Sequence, residues 1–410
     1  MKQLQKNSIY EILGRAPVHP FSARMAPDIA LDVLSEAKKS LRVLDPMMGS
    51  GTVLAVARSR GHRAIGIDID PLAVLIAKVW TTAINAEEIN EKAMEVLERA
   101  KSIFAKLPTR DAYPQNADTE TQQFISYWFD DYARRQLTSL ATAIRRVHDD
   151  ATRDALWCAF SRLIISKQSG ASLAMDLSHS RPHKSFDRAP AKPFNKFLTT
   201  VDHVVKNCVD KNSSYRGPAT CIREGDARTL PLSDASIDLV LTSPPYLNAI
   251  DYMRCSKFSL MWMGHRVAEL RRLRSDSIGT ETGKNTSQED QDVNSIIADL
   301  KLRPALKEKD EAMLVRYIKD MKCVVREVAR VLAPGGKAIY VIGENTIRGT
   351  RIRNSVIVAA VAELSGLKLN ERRVRILPAN RRYLPPPSAG DATALGARMR
   401  REVLISFVKS

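Results

Sequence analysis

The sequence predicts an α/β fold, a mostly parallel sheet covered by helices on both faces. Two observations carry this reading. Short apolar, β-branched runs recur along the chain, and amphipathic helical patterns separate many of them. Such alternation makes successive strands parallel, because a crossover helix returns the chain to the same edge of the sheet.

Strands are expected at 41–44, 64–68, 220–223, 237–242, 338–342, 374–377 and 403–408. Residues 27–39 predict a helix that opens on Pro27 and lines up Ile29, Ala30, Val33 and Leu34 on one face. Residues 52–60 predict a second helix, stopped by Gly61, and 71–80 a third with the same proline-first start. Residues 317–332 predict a fourth, with Val324, Val325, Val328 and Leu332 on one side and a stop at Ala333-Pro334-Gly335-Gly336.

Two stretches break the alternation. Residues 84–219 read as helices and loops, too long for a plain connection, and are expected to form a helical insertion. Within it, 87–107 and 124–147 predict amphipathic helices, and the aromatics Tyr127, Trp128, Phe129 and Tyr132 are expected in their core. Residues 275–310 are polar without periodicity and predict a mobile surface loop. The chain thus divides into 1–83, with an N-terminal element and the first part of the sheet, the insertion 84–219, and 220–410, with the rest of the sheet, the polar loop and a basic C-terminal region.

Of 410 residues, 44% are hydrophobic and 27% charged, which excludes a disordered chain. The formal charge of +17 is self-repelling and points to an acidic partner, of which nucleic acid is the commonest. Cys158, Cys208, Cys221, Cys255 and Cys323 are scattered with no CxxC pair, which argues against a zinc site or a disulfide framework and fits a reducing cytoplasm. No apolar signal core or membrane-length run is present, so no membrane partner is expected. His179 and His183 stand four apart, but Pro182 interrupts any helix there and no third ligand is near, so no metal is expected.

Asp45-Pro46-Met47-Met48-Gly49-Ser50-Gly51-Thr52 reads as a strand end, a glycine turn and a helix start. Glycines there let a ligand approach the backbone closely. A dinucleotide fingerprint would need a third glycine at Leu54, and a P-loop would need a lysine after Gly51. The remaining expectation is a ligand without a pyrophosphate. Asp68, at the next strand end, can accept from both ribose hydroxyls, with Asp70 ranked behind it. Asp226, in Glu224-Gly225-Asp226-Ala227, can accept from an adenine amino group. Each acid alone could be a helix cap or a surface charge. Three such groups at neighbouring strand ends favour a ligand site.

These motifs resemble a known family. Asp-Pro-x-x-Gly-Ser-Gly-Thr at 45–52 with Ser243-Pro244-Pro245-Tyr246 looks like the S-adenosylmethionine-dependent amino-methyltransferases of DNA. His19-Pro20-Phe21-Ser22-Ala23-Arg24 resembles the cofactor-side element of the cytosine-N4 branch, which packs against the methionine end of the cofactor, and Leu332–Gly336 resembles the turn before the fifth strand of such enzymes. The resemblance implies a Rossmann-like methyltransferase fold with seven strands, the last antiparallel. It implies cofactor contacts from Phe21, Asp45, Pro46, Met47, Gly49, Ser50, Gly51, Thr52, Asp68, Ile69, Asp226 and Ala227. Met47 stands where the family usually carries an aromatic, but methionine is apolar and adaptable.

Ser243, Pro244, Pro245 and Tyr246 are the candidate catalytic residues. Two prolines stiffen the loop and remove two N–H donors, leaving the Ser243 hydroxyl oxygen and the Pro244 carbonyl as acceptors. Two acceptors holding an exocyclic amine favour its lone-pair-bearing form as it attacks. The methyl donor is already activated, so in-line geometry supplies much of the rate. Tyr246 offers a face for a flipped base. Asn248, Asp251 and Tyr252 either line the base pocket or cap the next helix.

Nucleic acid is expected to meet clustered basic side chains, among them Arg181 in the insertion and Arg381 and Arg382 in the C-terminal region. Arg372, Arg373 and Arg375 belong to the C-terminal cluster, and Arg266, Arg271, Arg272 and Arg274 form another. The function expected is methylation of cytosine N4 in DNA with release of S-adenosylhomocysteine, in the cytoplasm at the nucleoid and beside a paired restriction endonuclease. Adenine N6, an RNA base, and a catalytically silent DNA-binding subunit are the alternatives.

Overall fold

The structure, a computed structural model, describes residues 8–21, 24–167, 169–175, 177, 182–211, 217–247, 251, 253–281, 290–302, 304–377 and 401–410. Its sheet has seven strands: β1 (Arg42–Asp45), β2 (Arg63–Asp68), β3 (Cys221–Glu224), β4 (Ile237–Thr242), β5 (Leu332–Gly343), β6 (Leu367–Ile376) and β7 (Arg401–Lys409). Their spatial order is β6-β7-β5-β4-β1-β2-β3. The pairings from β5 across to β3 are parallel, and β7 runs antiparallel to both β5 and β6. This is the expected Rossmann-like methyltransferase topology, with the last strand reversed. The order turns back between β1 and β4, which opens a crevice at their carboxyl ends.

Helices cover both faces. On one, Leu44, Val240, Tyr340 and Phe407 pack with side chains from 308–331 and 354–364, among them Tyr317, Val324 and Val358. On the other, Val43, Leu239 and Leu241 pack with α1 (Pro27–Ser35) and α2 (Thr52–Ser59) through Ile29, Leu34, Val53 and Val56. Next comes α3 (Pro71–Thr81), which has two apolar sides. Val74 and Ala77 join the sheet cluster, while Leu72, Ile76, Val79 and Trp80 face a second core. That core belongs to the inserted helices α4 (Ala86–Lys106), α5 (Thr119–Trp128), α6 (Asp131–Ile144), α7 (Asp150–Ile164) and α8 (Pro193–Asn207). A short parallel ladder of Ala83–Ile84 with Val209–Asp210 closes the base of the insertion.

Four sequence expectations are corrected here. The helix expected at 124–147 is broken, because Asp130 turns its side chain onto the Ala133 N–H and starts α6 as its N-cap. Of the aromatics expected in the core there, Phe129 is buried but Tyr127 and Tyr132 are exposed. The polar loop expected at 275–310 contains a helix, Gln291–Leu300, whose Val293, Ile296 and Leu300 are buried at helical spacing. Residues 253–263, assigned by the sequence division to the second half of the sheet, pack into the core of the insertion. The Phe258 ring lies 5.1 Å from Phe124 and Trp262 lies 5.4 Å from Phe129, both edge to face.

Candidate active site

The glycine turn does what its residue types allow. Gly49 and Gly51 adopt φ of +50° and +82°, a region costly for residues with a Cβ. A Cβ at Gly51 would stand 3.0 Å from that of Ala77, so this glycine also lets α2 approach α3. A Cβ at Gly49 would stand 3.3 Å from the Phe21 ring, which places the N-terminal element directly over the turn. Arg24 of the same element donates through Nε to the Ser50 hydroxyl at 3.1 Å, and also to the His19 carbonyl.

Two carboxylates line the turn. Asp45 ends β1, is buried, and accepts from the Thr242 hydroxyl at 2.7 Å and from the Met47 N–H at 3.2 Å. Asp68 ends β2 and accepts from the Gly49 N–H at 2.8 Å and the Asp70 N–H at 2.9 Å. Burial pushes both carboxyls up to about 7, against the pull of these donors. Asp70 has a different role. It caps α3 through the Leu72 N–H and accepts from the Ser256 hydroxyl at 2.7 Å. Ile69 and Pro46 lie between these anchors, and Thr52 is buried at the first turn of α2.

Asp226 and Ala227 follow β3, where the Gly225 N–H donates to the Asp68 carbonyl at 3.0 Å and ties the two strand ends together. Asp226, expected to accept from an adenine amino group, is paired with a neighbouring cation. Arg228 covers both of its oxygens, with Nε at 3.0 Å from each and Nη2 at 2.6 Å from one. The same guanidinium also donates to Asp320 and to the Asp276 carbonyl, both at 2.8 Å. Arg228 gave no motif to find, since its role depends on partners 92 and 48 residues away.

Ser243-Pro244-Pro245-Tyr246 leaves β4 directly beside this turn. The β1–β4 register pairs Val43 with Leu239 and Leu44 with Val240, which brings Asp45 level with the end of β4. The Thr242–Asp45 bond then joins the two bends. Ser243 donates to the Val341 carbonyl of β5 at 3.0 Å. A hydroxyl has one proton, so in this arrangement the Tyr246 hydroxyl, 3.2 Å away, donates to Oγ, which serves as an acceptor. Pro244 is buried and Pro245 half-buried. A Cβ at Gly279 would stand 3.2 Å from the Tyr246 carbonyl, so the turn around 277–281 packs on the back of the motif.

Of the residues expected to meet a base or nucleic acid, Asp251 resolves as a helix cap. It accepts from the Arg254 N–H at the start of the helix Met253–Leu260, and from Arg274 Nε at 2.6 Å. Asn248, Tyr252, Arg181, Arg381 and Arg382 lie outside the described residues. Several clustered arginines are internally paired: Arg375 with Asp28 and Glu402, Arg373 with Glu371, and Arg271 with Glu120. Among the described residues, no group of three or more His, Cys, Asp or Glu side chains is placed to hold a metal, and no helix is long and apolar enough to cross a membrane.

The residues fit S-adenosylmethionine. Asp45 and Asp68 are carboxylates with no cationic side chain paired to them among the described residues, set beside a turn that admits close backbone approach. A cationic ligand rich in hydroxyl and amine donors answers that charge.

No protein-family profile matches the chain. It is 23% identical over 372 residues to the type II methyltransferase M.MvaI of Kocuria varians, covering 83% of this chain and 79% of that protein. It is 22% identical over 382 residues to the type II methyltransferase M.AvaI of a Nostoc species, covering 84% of this chain and 76% of the relative. Over most of its length the chain is similar to type II methyltransferases. Among solved structures, a S-adenosylmethionine-dependent methyltransferase of Methanosarcina mazei aligns over 92% of this chain and 96% of its own, at 9% identity and a TM-score of 0.32. That alignment adds nothing to the topology itself. The similarity to type II methyltransferases covers 83% and 84% of this chain in the two alignments, and the sheet order is that of the methyltransferase fold the sequence predicts.

Proposed function

We propose that the chain methylates the exocyclic N4 amine of cytosine in DNA, using S-adenosylmethionine. The observation that carries the reading is the junction of the two bends: Thr242 binds Asp45, and the next residue, Ser243, donates to the Val341 carbonyl and keeps its oxygen as an acceptor at the same sheet edge. The bound cofactor supplies a methyl group already activated on a sulfonium. Asp68 holds the ribose hydroxyls, and Asp45 keeps the turn in register with β4. Ser243 Oγ and the Pro244 carbonyl hold the two amine hydrogens, which favours the nucleophilic form and places it in line. Tyr246 stacks on the extruded base while its hydroxyl fixes Ser243.

The type II names of the relatives and the charge of +17 support DNA as the partner, with a paired restriction endonuclease as its companion in the cytoplasm at the nucleoid. The serine at 243 supports cytosine N4 through the resemblance described above. Incubation with methyl-labelled cofactor and DNA, followed by digestion to nucleosides, tests the reading. Label in N4-methylcytidine is expected. Label in N6-methyladenosine would move the activity to adenine, label only with RNA would move the substrate, and DNA binding without label would make the chain a silent subunit.

A further inference from the structure

The helix Met253–Leu260 follows the Ser243–Tyr246 loop, and the chain returns to that loop through the helix Val267–Asp276, beyond which Gly279 packs against the Tyr246 carbonyl. The two helices bring three cations to one carboxylate. Asp251 accepts from Arg274 Nε at 2.6 Å, and Arg254 Nη2 lies 3.4 Å from the same oxygen. Lys257 stands one turn on from Arg254 on the same helix face and has no carboxylate within bridging distance among the described residues. Its ammonium lies 4.9 Å from the centre of the Phe124 ring. Burial first, and then the charge of Arg274, hold this lysine below its usual value.

Such a surplus of positive charge works against the fold. Like charges one turn apart on a helix repel, and Arg254 stands in the first turn, where the helix dipole disfavours a cation. The cluster is nonetheless firmly held. Ser256 donates to the buried Asp70 at 2.7 Å, and the Phe258 ring packs on Phe124 and Trp128 of α5 at 5.1 and 5.0 Å. The Arg254 and Arg274 side chains keep 26% and 34% of their surface exposed, so an anion can reach them. Asp251 comes only a few residues after Leu247, and Arg274 only a few before Gly279, so the cluster stands beside the proposed base site. A nucleotide swung out of a duplex carries its backbone phosphates with it, and these need cations where the base enters the protein. Resting on the DNA reading above, we infer that Arg254, Lys257 and Arg274 bind a DNA phosphate beside the extruded nucleotide.

The test reads binding and needs no turnover. The full chain is titrated onto sheared heterogeneous duplex DNA by filter binding, across a series of potassium chloride concentrations. K257M keeps the apolar stem on Phe124 and removes the charge. Its affinity is expected to fall by roughly 10-fold at low salt, and the slope of log affinity against log salt to become shallower by about one. K257R is expected to restore the slope, because the charge returns. Thermal melts identify any variant that fails to fold, and R254M, at the weaker of the two Asp251 pairings, then decides by the same change of slope. An unchanged slope in folded K257M and R254M would overturn the inference and leave these cations serving Asp251 and Phe124 alone. If the unaltered protein binds no DNA, the DNA reading falls and this inference with it. DNA binding without methyl transfer would sink the catalytic reading, while the phosphate site still stands or falls on its slope.

Discussion

The Thr242 hydroxyl donates to the Asp45 carboxylate at 2.7 Å, joining the last residue of β4 to the last residue of β1 across 197 positions of sequence. Both residues are buried, so neither can exchange this partner for water. The bond sets the spacing between the glycine turn, proposed to face the cofactor, and the Ser243–Tyr246 loop, proposed to face the base.

Thr242→Val keeps the shape and removes the donor. It leaves a buried carboxylate with one hydrogen bond fewer, which costs about 1–3 kcal/mol of stability. Urea unfolding measures that loss. Turnover is expected to fall further than cofactor affinity, because the spacing of the two bends is what the substitution relaxes. Unchanged stability and turnover would show the bond to be incidental.

Ser243→Ala removes the oxygen proposed to hold the amine. Turnover should drop by roughly 100-fold, the scale seen when one such polar contact to a transition state is deleted. S-adenosylhomocysteine should bind as before, since Ser243 contacts Val341 and Tyr246 rather than the glycine turn. Single-turnover kinetics beside calorimetry separate the two readouts.

Asp68→Ala is expected to do the reverse. It deletes the proposed acceptor for the ribose and also frees the Gly49 N–H, loosening the turn. Cofactor affinity should fall by at least about 10-fold, an amount consistent with losing one charged hydrogen bond. Turnover at saturating cofactor should change little. A variant with normal affinity would move the ribose site elsewhere.

Asp45 and Asp68 titrate near 7 in the folded chain, against a usual value of 3.8, because burial disfavours their charged forms. A folded value above the unfolded one means that protonation favours the fold. The contribution is complete below the unfolded value and is lost as pH rises through about 7. The melting temperature of the cofactor-free protein is therefore expected to rise, through these groups, as pH falls from about 8 to about 6. Cofactor affinity should fall over the same interval, since the ligand's positive charge and donors require the ionised forms. Melts and calorimetry at matched ionic strength check both slopes, and an affinity independent of pH would take these carboxylates out of contact with the cofactor.

Arg375 belongs to the arginine-rich C-terminal region but is nearly buried, at 2.9 Å from Asp28 and 3.5 Å from Glu402. Arg375→Met leaves the buried Asp28 without its partner, and a loss of about 3–5 kcal/mol is expected. DNA affinity per folded molecule should not move. Electrophoretic shifts at a temperature where the variant is folded would detect the opposite result, a specific loss of DNA binding.

Sequence periodicity located six of the seven strands, because apolar, β-branched runs register burial locally, but it caught only the end of β6, whose side chains are mostly exposed. It missed the boundary at Asp130, where one capping side chain outweighs a continuous amphipathic pattern, and the helix at 291–300, whose apolar positions are spaced widely among polar residues. Arginine-rich composition left internal pairing unread for a related reason. Counting charges does not reveal that Arg375 faces Asp28, or that Arg271 faces Glu120, through folding.

The chain alone determined the two bends. Glycines at 49 and 51 permit the positive φ of the turn, and prolines at 244 and 245 restrict their own backbone, so the turn and the stiff acceptor loop follow from residue type. Tertiary structure alone decided what those bends meet. Thr242 reaches Asp45, Arg24 reaches Ser50, Arg228 closes on Asp226, and Ser243 gives its proton to Val341. Hydrogen bonds and ion pairs act over a few ångströms between residues remote in sequence, so their partners exist only once the sheet has set its strand order and register.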